Sequence, residues 1–355
     1  MSVLTPQSSK PLTLLLSIDL GHEPTVLACH QNGNWVAVGT DSGEVILLDA
    51  LTNQEVKRWQ AHKTRLAVLE WHPHLPLLAS GGLDGFARIW AIKEDGSVSK
   101  LHDLKAHQDW VEHLAWRSDG QQLAVASGKD IRLFSEQGDL QGTYHFPHSP
   151  ITGLKWRPQA PQLAVAGYSG ILLFQVLNPL LKPRKFSFKG ALISLVWSPD
   201  GHTLVAGTQD NSVHYWRLRD NTEGSLIGYE QKPKQLTWSH QSRWLAASGS
   251  SDVMVWAFDG NDPELHAPNL LVFHQKPITS VCFAPSGQWL ATGGKEGKLA
   301  VWSKVAAEQP FYTLQGKAMI THLAWIASPS ALKLVALTQN GILGIWQLIP
   351  KSAES

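Results

Sequence analysis

The chain has 355 residues, 43% of them hydrophobic and 17% charged, with a formal net charge of +1. That content supplies a large core and excludes a disordered chain, and the near-neutral balance argues against nonspecific nucleic-acid binding, which draws on a dominant basic surface. No apolar run approaches the roughly 18 residues of a membrane-spanning helix, so no membrane insertion is expected.

Residues 1–11 are read as a flexible N-terminus. Leu12 to Leu20 (LTLLLSIDL) is an apolar strand with no partner in its own stretch of sequence. Leu12 to Ile18 follows Lys10 as a secretory leader would, yet no small-residue cleavage site comes after it. Beyond it one unit recurs, with its first marked position at Cys29, Trp71, Trp116, Trp156, Trp197, Trp238, Phe283 and Trp325, at intervals of 42, 45, 40, 41, 41, 45 and 42 residues. A period of this size marks a repeat architecture in which each copy is one supersecondary unit.

Inside a copy, an alternating strand such as Leu66 to Trp71 ends on the first marked position. A short apolar strand bounded by Gly, Asp or Ser follows, as in Gln121 to Ser127, Leu204 to Thr208 and Trp289 to Thr292. A turn then leads to a third strand ending in Trp or Phe. More polar fourth strands are expected at Glu55 to Gln60, Ser99 to Lys105, Gln141 to Phe146, Arg184 to Lys189, Ser225 to Tyr229, Leu270 to His274 and Phe311 to Gln315. The eighth copy ends at Leu348, which leaves residues 349–355 as a C-terminal tail and no fourth strand. Leu12 to Leu20 supplies it, so the ring closes on its own N-terminal strand. Eleven of the 16 Trp fall on the two aromatic positions of the repeat, so the repeat itself accounts for most of them.

This pattern, over residues 12–348, resembles the WD40-repeat family. The resemblance implies an all-β, single-domain β-propeller of eight four-stranded blades. In the alternative, the weak first copy decorates a seven-bladed ring, but that copy still carries Gly21-His22, the strand Trp35 to Gly39 and an outer strand ending in Trp59. The second copy matches best: His62, Ser80, Asp84 and Trp90 occupy the positions of the family's hydrogen-bonded tetrad. A buried Asp84 is expected to serve as shared acceptor for His62 and Trp90. Asp130, Asp210 and Asp252 match the Asp position, and His107, His148 and His274 the His position; the fifth and sixth copies lack that His. The Trp-Asp pair that names the family is replaced, as in Trp90-Ala91, Trp216-Arg217 and Trp346-Gln347.

A propeller is a scaffold for unrelated activities, so function has to come from residues the repeat does not use. No phosphate loop, nucleophile elbow or metalloprotease helix is present, and neither catalysis nor a cofactor is expected. His30, His72, His74 and His240 fall on loops between first and second strands, where solvent-facing side chains are expected. His30, His72 and His74 come from neighbouring copies and are the weak candidates for a metal, but a fourth ligand is missing. The family's upper face gathers Lys63, Arg65, Lys129, Lys189, Lys232, Lys234, Lys276, Lys295 and Lys317 against Glu23, Asp41, Asp109, Glu230 and Glu296. Such a face suits an acidic protein partner.

Trp110 and Tyr168 lie outside the core pattern, and exposed Trp, Tyr and Arg dominate interface energetics. Arg65, Trp110 and Tyr168, with Lys129, Lys232, Lys234 and Met319, are therefore the expected contact set. Leu177, Leu180 and Leu181 in the connector VLNPLLKP offer a second apolar candidate on the opposite face. The adjoining basic run from Lys182 to Lys185 is read as protection of an outer strand edge. Cys29 and Cys282 belong to the first and seventh copies, too far apart for a bridge, which points to a reducing compartment and a cytoplasmic location. The sequence thus describes a noncatalytic interaction scaffold or assembly factor, a monomer within a larger assembly. The alternative is a small-ligand or metal-handling propeller using its central channel or loop histidines.

Overall fold

The structure is a computed structural model that describes residues 5–6, 12–106, 110–260, 262–286, 288–328 and 331–348. Eight antiparallel sheets follow one another along the chain. Blade one, the weakest repeat, is complete: Pro24–Cys29, Trp35–Thr40, Glu44–Asp49 and Gln54–Gln60. Blade two is Leu66–Trp71, Leu77–Gly82, Phe86–Ile92 and Val98–Lys105. In blade eight, Ile320–Ser328, Ala331–Thr338 and Ile342–Leu348 are completed by Leu12–Asp19, with Leu12 opposite Leu348 and Asp19 opposite Ile342. The N-terminal strand is therefore the outer strand of the last blade.

The cores prove the ring. Each of eight buried clusters joins two adjacent blades, and one of them packs Val36, Val38, Ile46 and Leu48 of blade one against Val335, Leu337, Leu343 and Ile345 of blade eight. Eight interfaces between eight blades leave no open end, which rules out a seven-bladed ring. The middle strands meet a neighbouring blade on both sides, so they read as apolar runs; Trp35–Thr40 is buried at every position. Fourth strands have only one covered side, and Gln54–Gln60 has no fully buried position. First-position indoles add a second inter-blade tie: Trp71, Trp156 and Trp325 donate to the carbonyls of Ala28, Ala115 and Cys282 on the preceding blade.

Three local departures from the sequence reading have physical causes. In blade four the second and third strands run together as Gln162–Gln175, which folds back at Tyr168–Ser169. Ser169 has φ 74° and Gly170 φ 117°, and Val176 N–H to Pro161 O closes the base of the hairpin. In blade five the fourth strand is Glu223–Leu226 instead of reaching Tyr229, because Gly228 at φ 105° turns the chain and the Tyr229 hydroxyl accepts the Trp256 indole N–H at 2.8 Å. In blade six it is Asn269–Leu271, and His274 turns inward to side-chain partners.

Thr5–Pro6 pairs with Gln315 and Leu314 on the edge of blade seven. The remainder of residues 1–11 and all of residues 349–355 lie outside the described residues. Cys29 and Cys282 are free thiols, and burial pushes the Cys29 thiol up to about 12. First strands all run in one sense, so fourth-to-first loops and second-to-third turns share the upper face. The first-to-second and third-to-fourth loops share the lower face.

Candidate functional site

The best-matching repeat holds a linear relay, and its order differs from the expected one. The Trp90 indole N–H donates to Ser80 Oγ at 2.9 Å, not to Asp84. Ser80 Oγ lies 2.8 Å from His62 Nε2, and His62 Nδ1 lies 2.9 Å from Asp84 Oδ1. The Asp84 carboxylate can only accept, so Nδ1–H donates to it, which leaves Nε2 of the neutral ring to accept from the Ser80 hydroxyl. Asp84 thus serves His62 and Arg88 (2.9 Å) and does not reach Trp90. Burial pulls the His62 imidazole below its usual value against the pull of Asp84, and the Arg88 charge adds to that fall, so the ring is neutral. Burial works against the Asp84 carboxylate, yet hydrogen bonds from His62 and Arg88 hold its carboxyl below the ordinary range.

Blade seven repeats the relay with two substitutions. Trp302 donates to Thr292 Oγ1 at 3.2 Å, Thr292 Oγ1 lies 2.9 Å from His274 Nε2, and His274 Nδ1 lies 2.7 Å from Glu296 Oε1. Glu296 was expected among the free acids of the upper face, and this bond corrects that reading. The signal was present, since His62-Ser80-Asp84-Trp90 and His274-Thr292-Glu296-Trp302 have the same spacing. Elsewhere the pattern lapses. His148 is exposed and the carboxylates of Asp210 and Asp252 accept no hydrogen bond among the described residues, so none of the three belongs to a relay. Asp130 meets His145 at 2.7 Å. His107 and Asp109 lie outside the described residues.

The lower-face histidines are not solvent-facing as expected. His30 and His72 are 5% and 2% exposed, and each latches its blade to the next. His30 Nδ1 accepts the Asn32 N–H, so Nε2–H donates to Leu75 O; His72 Nδ1 accepts from His74 and Leu75 N–H, so Nε2–H donates to Gly120 O. Both nitrogens of both rings are thereby spent, leaving no lone pair for a metal, while His74 and His240 are exposed. Among the described residues no group of three His, Cys, Asp or Glu side chains is placed to hold a metal ion. Arg157 occupies the same loop position in blade four and donates to Gly201 O of blade five at 2.7 Å.

The expected contact set divides on the upper face. Lys232, Lys234 and Met319 line one cavity of about 560 Å³, together with Lys295, Glu230 and Pro277, drawn from loops of blades five to eight. Lys295 completes the cavity and was missing from the expected set. Arg65, Lys129, Trp110 (57% exposed) and Tyr168 (55% exposed) project from blades two, three and four. No hydrogen bond or ring contact joins them among the described residues, and the cavity does not include them.

The WD40 family (WD domain, G-beta repeat) matches residues 53–91, 98–135, 183–217 and 269–303. The chain is 26% identical over 295 residues to the B-type cell cycle switch protein ccs52A of Medicago truncatula, covering 80% of this chain and 52% of that protein. It is 27% identical over 281 residues to the anaphase-promoting complex subunit cdh1 of Dictyostelium discoideum, covering 77% and 35%. With telomerase protein component 1 of Mus musculus identity is 27% over 339 residues, covering 90% of this chain and 12% of that protein. The chain thus spans about half or less of the length of these curated relatives. Among solved structures, the computationally designed Ika8 protein superposes with a TM-score of 0.77 at 18% identity, covering 95% of this chain and all of that one. Among the described residues no helix is long and apolar enough to cross a membrane. Four matched repeats, two His-hydroxyl-Trp relays of equal spacing and a closed ring of eight blades show a β-propeller that carries WD40 repeats.

Proposed function

We propose that the protein is a noncatalytic interaction scaffold whose upper face binds an acidic segment of a partner protein, and that it works as one monomer within a larger cytoplasmic assembly. The observation that carries this reading is the cavity where Lys232, Lys234 and Lys295 converge against one acid, Glu230, beside the apolar surface of Met319 and Pro277. Ammonium groups on flexible stems around an apolar floor suit carboxylates followed by an apolar residue. Two relatives support the assembly part by name, one as a subunit of the anaphase-promoting complex and one as a component of telomerase. The histidine version of a metal-handling protein loses its ligands to the inter-blade latches.

The test is affinity purification from the native host with a Lys232→Glu, Lys234→Glu, Lys295→Glu variant. Stability should be nearly unchanged, because all three side chains are exposed. Recovery of the main partner should fall at least about tenfold, and wild-type recovery should weaken with salt. Undiminished recovery would transfer the interaction to Arg65, Trp110 and Tyr168.

A further inference from the structure

The lower face holds a second basic site that no repeat pattern accounts for. Between blades four and five a cavity of about 260 Å³ is lined by Arg157, Arg184, Arg219 and His202, with Gln162 and Gln175, and among the described residues no carboxylate lines it. Its basic residues come from four separate segments. Arg157 follows the first strand Gly153–Trp156 of blade four and Arg184 opens the fourth strand Arg184–Ala191. His202 precedes the second strand Thr203–Gly207 of blade five and Arg219 follows the third, Val213–Arg217.

The three guanidiniums differ in how much of their donor capacity is spent. Arg157 is held by Gly201 O and by Gln162 Oε1, both at 2.7 Å, which fixes its plane. Arg184 bonds the Asn221 side chain and lies over the Phe186 ring, 4.6 Å from its centroid. Arg219 has no carboxylate within ion-pair distance among the described residues. Burial, then the charge of Arg184, lowers the Arg157 guanidinium from its ordinary value, with Asp200 opposing. Asp200 is the counter-charge that acts on Arg157, but it accepts from the Ser198 hydroxyl and the His202 N–H and stays outside the cavity. Like charges held together without a lining carboxylate are what an incoming anion would relieve.

We propose that this cavity binds a phosphorylated serine or threonine of a partner protein, with the apolar neighbours of that residue seated on Leu177, Leu180 and Leu181. Planar guanidinium forks take phosphoryl oxygens two at a time, which lysines do not. At roughly 30 Å³ per water, the cavity has space for a phosphoryl group and the side chain that bears it. The connector leading into Arg184 supplies the apolar shelf, with Leu177, Leu180 and Leu181 exposed by 73%, 94% and 55%. An anionic bilayer fits less well, because Asp200 and Asp220 line the adjoining cavity and a flat negative surface would press against them. The site lies on the face opposite the lysine cavity and does not depend on the reading of that one.

The test immobilises a degenerate peptide pool with phosphoserine fixed at its centre, beside the same pool unphosphorylated, and passes the full chain over both. The phosphorylated pool should retain about tenfold more protein, and inorganic phosphate should compete. Arg184→Glu with Arg219→Glu should abolish the difference without changing the melting temperature, since both side chains are exposed. Arg184→Lys with Arg219→Lys should restore only part of it. Equal retention on both pools, or a preference unaffected by the Glu variant, overturns the proposal. So does arginine-dependent capture of vesicles containing phosphatidylinositol phosphate when neither pool is preferred, which would assign the cavity to a membrane.

Discussion

Replacing Ser80 by Ala removes one oxygen atom and two hydrogen bonds. Ser80 is fully buried, between the Trp90 indole N–H at 2.9 Å and His62 Nε2 at 2.8 Å. Volume hardly changes, so the cavity contribution is small. What remains is an indole donor and an imidazole acceptor, both buried and both unpartnered, each costing about 1–3 kcal/mol. Local relaxation recovers part of that, giving an expected loss of about 2–4 kcal/mol. Asp84→Ala should cost less, about 1–2 kcal/mol, because the Asp84 side chain is 10% exposed and Arg88 retains Asp103 at 2.8 Å. The hydroxyl therefore outranks the charge, the reverse of the order expected if Asp84 were the shared acceptor.

Urea titration followed by far-UV circular dichroism and Trp fluorescence, with midpoints compared at a common slope, measures both losses. Thr292→Ala in blade seven is the internal replicate, since Thr292 holds His274 and Trp302 in the same way. The two relays share no partner, so Ser80→Ala with Thr292→Ala should be additive to within about 0.5 kcal/mol. A Ser80→Ala protein within about 0.5 kcal/mol of wild type, or an Asp84→Ala protein less stable than it, would refute the relay as the support of blade two.

Acid should loosen the ring through its buried histidines: burial lowers His113 and His322 from 6.5 to about 4. The folded state then binds fewer protons than the unfolded one, so this stability is complete above pH 6.5 and is lost as pH falls toward 4. Melting temperature should fall steeply across that window, less so for His113→Gln, which can still donate to Ile151 O; a flat profile in both proteins contradicts the assignment. Gly120→Ala tests the His72 latch: Gly120 has φ 78° and a Cβ there would meet the His72 ring at 2.3 Å. It should cost roughly 1–3 kcal/mol, and Gly21→Ala, with φ 76° but nothing within 4 Å, only the backbone part of about 1 kcal/mol; equal losses would remove the latch. Deleting residues 1–20 removes Leu12–Asp19 and bares the edge of Ile342–Leu348, so the truncated chain should aggregate or melt much earlier. A monomer of unchanged melting temperature would mean that the strand does not close the ring.

Ring closure was legible because it depends on two signals that survive in one sequence, a regular period and a missing fourth strand. Blade one shows why a weak copy still counts: its family motif is poor, yet Trp35–Thr40 and Glu44–Asp49 keep the apolar run that burial between two blades demands. Strand ends were less legible. Tyr229 and His274 look like the last residues of outer strands, but each turns inward to serve an indole directly or through a hydroxyl. A competing side-chain hydrogen bond decides such boundaries, and strand propensity carries no trace of it.

The sites were less legible than the fold because a propeller builds its cavities across blades. Lys232, Lys234, Lys295 and Met319 meet through loops of three blades, and nothing in their spacing announces it. Lower-face residues add a second obstacle, since chemistry alone does not say whether a side chain is free. His30, His72 and Arg157 all follow the first marked position, and all three spend donors on the carbonyl of the next blade. His30 and His72, among the weak metal candidates of the sequence, are thus structural. Arg184 opens the fourth strand of blade four and gives one donor to Asn221 of blade five, Arg219 lies in the third-to-fourth connector of blade five, and both line the cavity with donors left over. For this repeat, unspent hydrogen-bonding capacity separates a binding residue from a structural one better than residue type does. It also makes Arg219, with no ion pair among the described residues, a sharper probe of function than Arg157, whose replacement would loosen blade four from blade five.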